Sequence, residues 1–195
     1  MTLTIVEDSP ALLAEYAQVP IGFTVAEFFD DRALAGLKRD ASAQAVAVST
    51  PYWKDYDSYP GGHPTAWPHR FDLSRWNILA AYDGTRRVGG VVVIVDDPQI
   101  DLLRDCHACA LLWDIRVKLD ARRQGIGSAL LEAAGRSACK LGAQRLRVET
   151  QNINVPACRF YHRHGFRLER VIPGAYAELP NEVQLLWRKP LKSRG

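Results

Sequence analysis

Hydrophobic positions along the chain repeat with two periods, one suited to strands and the other to helices. Residues 23–29 and 45–48 read as early strands, with a helical run over residues 31–38 between them. Residues 76–82, 88–95 and 110–119 read as a strand meander whose first pair is turned by Asp83-Gly84. From Ile126 the apolar positions Ile126, Ala129, Leu130, Ala133, Ala134, Ala138 and Leu141 follow helical spacing, and Gly142 suits the C-terminal cap. Residues 145–150 form the next strand. Asn154 then reads as a helix N-cap with Pro156 in the tolerant first turn, and Ala157, Phe160, Tyr161 and His164 share one face before Gly165 closes the helix. Residues 166–171 and 183–188 supply the last two strands. One stretch, residues 50–72, follows neither period; it is rich in proline and aromatic residues and reads as an irregular insertion.

The 195 residues suit a single domain spanning the chain, large enough to bury a sizeable core. A formal charge of +3, scattered rather than clustered, argues against nucleic acid as a partner. The first residues, MTLTIVEDSP, have neither the basic nor the apolar region of a secretory leader, and no apolar run approaches the length of a membrane span, so a cytoplasmic protein is expected. The four cysteines, Cys106, Cys109, Cys139 and Cys158, make neither a dense disulfide framework nor a paired zinc motif. They are expected as reduced thiols in or near the core, with no metal bound.

The most informative segment is DIRVKLDARRQGIG, from Asp114 to Gly127, because it sets an apolar strand against an arginine-bearing, glycine-punctuated turn and a long helix. The first N–H groups of a helix lack internal partners and attract anions, and Gly125 and Gly127 let the backbone approach a pyrophosphate closely. Two other phosphate loops fail. A dinucleotide fingerprint needs a third glycine where Leu130 stands, and a Walker loop needs Gly-Lys-Ser/Thr, which does not occur.

Arg122-x-x-Gly125-x-Gly127, between strand and helix, resembles the coenzyme A loop of the GNAT superfamily of N-acetyltransferases. Downstream, Asn154-x-x-Ala157-x-x-Phe160-Tyr161-x-x-x-Gly165-Phe166 resembles the family's other motif, in the matching order and local structure. The resemblance implies an α/β (α+β) fold: a mixed, twisted, mostly antiparallel sheet splayed at its central strands, with helices on both faces. It also implies acetyl-CoA as cofactor. The strand before the loop should carry a bulge, and backbone groups around Ile115, Arg116 and Val117 should pair with the pantetheine amides. The loop Arg122, Arg123, Gln124, Gly125, Ile126, Gly127 and Ser128 should hold the pyrophosphate, with Arg122 near the phosphates or ribose. Asn154 is placed at the pantetheine end, although a helix cap explains it equally well.

The implied chemistry needs a neutral amine and a proton for the departing thiolate. Tyr161 matches the family tyrosine whose hydroxyl faces the sulfur, which makes it the candidate general acid. Asp114 and Glu149 are the carboxylates that stand as candidate bases or proton relays, with Asp114 slightly preferred.

Within the superfamily the run from Val148 to Cys158, the fragment Pro51-Tyr52-x-Lys54-Asp55-Tyr56 and the pair Asn181-Glu182 are similar to streptothricin acetyltransferases. Two departures qualify this. That subgroup tends to carry Glu-Asp where this chain has Trp113-Asp114, and its acidic run after Lys-Asp-Tyr is replaced here by aromatic and proline residues. Residues 50–72 are therefore the candidate substrate lid, with Tyr52, Asp55, Tyr56 and Asp57 as substrate contacts and Trp53, Tyr59 and Trp67 completing an aromatic wall; a structural cover for the core is the alternative. The expected reaction is acetyl transfer to a primary amine of a small molecule, a streptothricin-like antibiotic or polyamine. The competing readings are a protein or peptide acetyltransferase acting on N-termini or lysines, and a coenzyme A-binding sensor without turnover. The implied partners are the small-molecule amine and, left open, a second copy in a homodimer, with neither nucleic acid nor membrane.

Overall fold

The computed structural model describes residues 2–37 and 43–191. In chain order the elements are β1 (Leu3–Asp8), α1 (Leu13–Tyr16), β2 (Phe23–Phe28), α2 (Asp31–Leu37), β3 (Val46–Lys54), β4 (Trp76–Asp83), β5 (Arg86–Val95), β6 (Cys109–Val117), α3 (Ile126–Lys140), β7 (Arg145–Gln151), α4 (Val155–Arg163), β8 (Arg167–Ile172) and β9 (Gln184–Pro190). The chain divides into two compact units. The described residues of the first are 2–22, 55–146 and 191; the second comprises Phe23–Lys54 and Arg147–Pro190. No described helix is long and apolar enough to cross a membrane.

In the first unit the strands run in the order β1-β4-β5-β6, each pair antiparallel. β5 is covered on both faces: Val88 and Val91 through Ile94 are all at most 2% exposed, which accounts for its nearly unbroken apolar run. α3 packs on β4, β5 and β6 through Ile126, Leu130, Ala134 and Ala138, the stripe that the periodicity assigns. Between β5 and β6 the register passes from Val92↔Asp114 to Val93↔Leu112, so Trp113 is an extra residue on β6. Such a bulge bends its strand and re-aims the neighbouring side chains.

In the second unit β2 pairs antiparallel with β3, and a separate run follows the order β7-β9-β8. Asn152, just past β7, binds this unit together: its amide nitrogen donates to the Phe29 carbonyl at 3.0 Å, and its side-chain oxygen accepts from the Val183 N–H at 2.8 Å.

Several boundaries differ from those read in the sequence. β1 has no counterpart there; it is a half-exposed edge strand with weak alternation. The strand expected at residues 45–48 runs on to Lys54, through Pro51. Proline survives because the register slips there, from Glu27↔Ala47 to Val25↔Tyr52, leaving residues 48–51 outside the regular ladder. Residues 50–54 are thus strand, and the remainder of the insertion consists largely of 3-10 turns at Tyr56–Ser58 and Pro64–His69. Trp67 is a correction to the aromatic wall: it is 2% exposed and packs against Tyr16, Trp76 and Trp113, in the core of the first unit. The helix expected to end at Lys38 is observed as far as Leu37, and Lys38 lies outside the described residues. The thiol expectation is corrected at one pair: Cys106 and Cys109 are disulfide-bonded, whereas Cys139 and Cys158 are in no disulfide.

Candidate active site

After β6 a 3-10 turn, Leu119–Ala121, leads into the loop that opens α3. Arg123 and Gly125 both take left-handed backbone, with φ of 66° and 84°. Gly125 is the N-cap, no side chain caps the helix, and its first turn holds no acidic residue. A fifteen-residue helix therefore presents its initial N–H groups and the positive end of its dipole beside a residue that has no side chain. A Cβ added at Gly125 would have nothing within 4 Å, so the space above the loop is open.

Arg122 does not extend toward that space. Its Nε donates to the Val117 carbonyl at 3.0 Å and its Nη2 to the Gly22 carbonyl at 3.1 Å, and burial lowers its pKa from the usual arginine value. The guanidinium fixes the end of β6. Arg123 and Gln124 are exposed on the loop, with Gln124 Nε2 donating to the Asp120 carbonyl at 3.2 Å; Ile126 is buried, and Gly127 and Ser128 are half-buried.

On β6 two residues apart, Asp114 and Arg116 lie on one face and form a buried ion cluster. Arg116 Nε donates to Asp114 Oδ1 at 2.9 Å and Nη2 to Oδ2 at 2.6 Å, while Asp57 takes Nη1 and Nη2 at 3.0 and 3.1 Å. The Tyr16 hydroxyl donates to Asp114 Oδ1 at 2.5 Å, and the guanidinium stands 5.0 Å from the Tyr16 ring centre. Tyr16 reaches this position because its ring crosses β5 at Gly90, where an added Cβ would come within 2.5 Å of it. Burial, and secondly the Asp114 charge, push the Tyr16 pKa well above its ordinary value. Burial works against the Arg116 cation, and the Asp114 contact outweighs it, so the guanidinium stays charged.

Removing Arg116 would strand two carboxylates, one of them buried. Arg116→Ala is therefore expected to cost about 3–5 kcal/mol, read as a lower urea midpoint with unchanged slope. A wild-type midpoint would mean that the cluster does not hold the first unit together.

In the second unit Glu149 on β7 accepts a hydrogen bond from the Tyr176 hydroxyl and another from Gln184. Burial raises its pKa above the ordinary glutamate value, and the two hydrogen bonds pull it partly back. Tyr161 on α4 is 4% exposed, with its ring edge-on to Phe160 and Phe166, each at 5.3 Å. Asn154 caps α4, accepting from the Ala157 N–H at 3.2 Å. Lys54, at the end of β3, meets Glu182 at 2.5 Å.

The sequence matches the model of the acetyltransferase (GNAT) family over residues 52–166. The chain belongs to that family. Among curated proteins, streptothricin acetyltransferase A of Bacillus subtilis (strain 168) is 36% identical over 91 residues, covering 46% of this chain and 53% of that protein. The match thus spans about half the relative's length. Among solved structures, a nourseothricin acetyltransferase aligns with a TM-score of 0.74 at 23% identity, covering 98% of this chain and 100% of that one. A putative streptothricin acetyltransferase from Bacillus anthracis str. Ames, solved with acetyl coenzyme A, aligns with a TM-score of 0.73 at 21% identity and the same coverage. At such identities the likeness is one of fold, and the mixed α/β architecture with its antiparallel strand pairs is the GNAT fold.

Within this GNAT chain the residues singled out from the sequence fall as follows. Asp55, Tyr56, Asp57, Asp114, Ile115, Arg116, Val117 and the loop Arg122 to Ser128 are in the first unit; Tyr52, Glu149, Asn154 and Tyr161 are in the second. Three residues given separate roles, Asp57, Asp114 and Arg116, converge in one ion cluster. Asp55 is occupied as the cap of the Tyr56–Ser58 turn, accepting from the Asp57 N–H at 3.0 Å. Tyr52 is 45% exposed on β3. Tyr16, Tyr176 and Gln184 had not been singled out, because each acts through a partner distant in sequence and belongs to no motif. A cavity of about 680 Å³ lined by Arg75, Asp97, Cys106, His107 and Leu141 contains none of these residues.

Proposed function

We propose that this GNAT-family chain moves the acetyl group of acetyl-CoA to a primary amine of a small molecule. The observation that carries the reading is Glu149: a half-buried carboxylate with a raised pKa, one oxygen held by Tyr176, on the strand that runs into the Asn154–Phe166 motif. A general base works best with a pKa near the operating pH, and burial moves Glu149 in that direction.

The residues for the cofactor fit the group. The backbone N–H groups of the loop from Arg123 through Ser128 would donate to a pyrophosphate, and the backbone of the bulged strand at Ile115 and Val117 would pair with the pantetheine amides. When bound, acetyl-CoA supplies a thioester whose carbonyl carbon is open to an amine. Glu149 takes the proton that the amine nitrogen loses as the C–N bond forms. Tyr161 gives its hydroxyl proton to the sulfur as the C–S bond breaks. Asp114, with both oxygens on Arg116 and one also on Tyr16, is the poorer base and instead fixes the bulged strand.

For the acceptor, the name of the Bacillus subtilis relative supports a streptothricin-like amine; a polyamine offers the same kind of primary amine. The test is an amine panel with acetyl-CoA, followed by thiol release across pH. Because the working form of Glu149 is the anion, turnover should rise with pH through a midpoint above the ordinary glutamate range. Glu149→Gln should remove that limb and lower turnover by about 10²-fold. A wild-type profile in the variant would transfer the base role to water or another group.

A further inference from the structure

We propose that Lys54 and Glu182 form the subsite that grips the acceptor amine, with Glu182 Oε2 accepting one of its N–H hydrogens. The inference rests on the amine-acetylation reading above and names the residues that select the amine.

The two residues lie 128 positions apart, and each comes from a fragment that resembles the streptothricin subgroup, Pro51 to Tyr56 and Asn181-Glu182. Folding brings them together within one unit, with side chains 4% and 9% exposed. Lys54 serves Oε1. Oε2 is buried and has no hydrogen-bond partner among the described residues. An unsatisfied buried acceptor costs about 1–3 kcal/mol, and native structures keep few of them. A pair serving packing alone would gain by satisfying both oxygens; this one holds an acceptor in reserve.

The surroundings suit an amine. Glu182 closes the connection between β8 and β9, and the same connection delivers Tyr176 to Glu149. Val183 is tied to Asn152 at the end of β7, and Gln184 is bonded to Glu149. One segment thus carries both Glu182 and the partners of the base. Glu182 Oε2 offers one charged acceptor to one N–H of a substrate amine. Tyr52 shares the strand face of Lys54 two residues earlier and is 45% exposed, offering an aromatic surface to the body of the acceptor. Because Oε2 has no exposed surface, an amine reaches it only when neighbouring groups move aside.

The test compares wild type with Glu182→Gln and Glu182→Asp. Calorimetry with ethylamine, putrescine and streptothricin in the presence of desulfo-CoA, which cannot transfer an acetyl group, reads binding; thiol release with acetyl-CoA reads turnover. Loss of one charged hydrogen bond should weaken amine binding and raise the amine KM about 10-fold in Glu182→Gln. The Kd for acetyl-CoA and kcat at saturating amine should stay within about twofold of wild type, and Glu182→Asp should be intermediate. Equal amine affinity in wild type and Glu182→Gln would overturn the subsite while leaving acetylation standing. Amine binding that is lost in the variant, with no acetylation by wild type, would uphold the subsite and overturn the transfer reading. No amine binding to wild type would overturn both, and unfolding of both variants would assign the pair to stability alone.

Discussion

Gly125→Val is expected to weaken acetyl-CoA binding by about 10²-fold, the loss that follows when two hydrogen bonds to an anion, each of order 1.5–3 kcal/mol, are weakened together. The reason is local. Gly125 sits at φ 84° as the N-cap of α3, where a β-branched residue is strained and where its side chain would occupy the open space a phosphate needs. The fold should survive, because the new Cβ meets no neighbour within 4 Å and a residue forced into left-handed backbone costs about 1–2 kcal/mol. Calorimetric titration of the purified variant with acetyl-CoA reads the result, with a thermal melt as control. A folded variant with wild-type affinity would remove this loop from the cofactor site.

Tyr161→Phe should lower turnover by about 10²-fold, the low end for general acid catalysis, because the change removes only the proton donor. The ring would keep its edge-on packing against Phe160 and Phe166, and a thermal melt reads what the hydroxyl adds to stability. Acetyl-CoA affinity should also be unchanged, which separates loss of a transition-state interaction from loss of binding. Wild-type turnover at every pH would make Tyr161 a packing residue of α4.

What the sequence made legible is what depends on local chemistry. The apolar stripe from Ile126 to Ala138 marked α3, Gly125 marked its opening, and Asn154 marked the start of α4, because helix periodicity and end-capping act over a few residues. The extent of β3 was hidden by Pro51, whose turn-like appearance is cancelled by a register slip that only the pairing with β2 reveals. The ion cluster was legible residue by residue but not as a cluster. Asp57 and Tyr16 are distant in sequence from Asp114 and Arg116, Tyr16 belongs to no motif, and nothing in the spacing indicates that Arg116 occupies both carboxylates. The same holds for Trp67, which reads as one more aromatic of the insertion until Tyr16, Trp76 and Trp113 are placed around it.

The ion cluster also bears on specificity. Asp55 and Asp57 were the substrate-contact carboxylates expected in the insertion; Asp55 caps a turn, and the Asp57 carboxylate is already committed to Arg116. Long-range attraction of a polycation would therefore draw on fewer unpaired charges, and raising salt should change the amine KM only modestly.

The most direct measurement of the central claim is a competition in one vessel: acetyl-CoA with the protein, a mixture of small primary amines including streptothricin and putrescine, and peptides with free N-termini and lysines, with products identified by mass spectrometry. The account expects one acetyl group on a small amine, thiol released in equal amount, and both slowed about 10²-fold in Glu149→Gln. Acetylated peptides with unmodified small amines would contradict it.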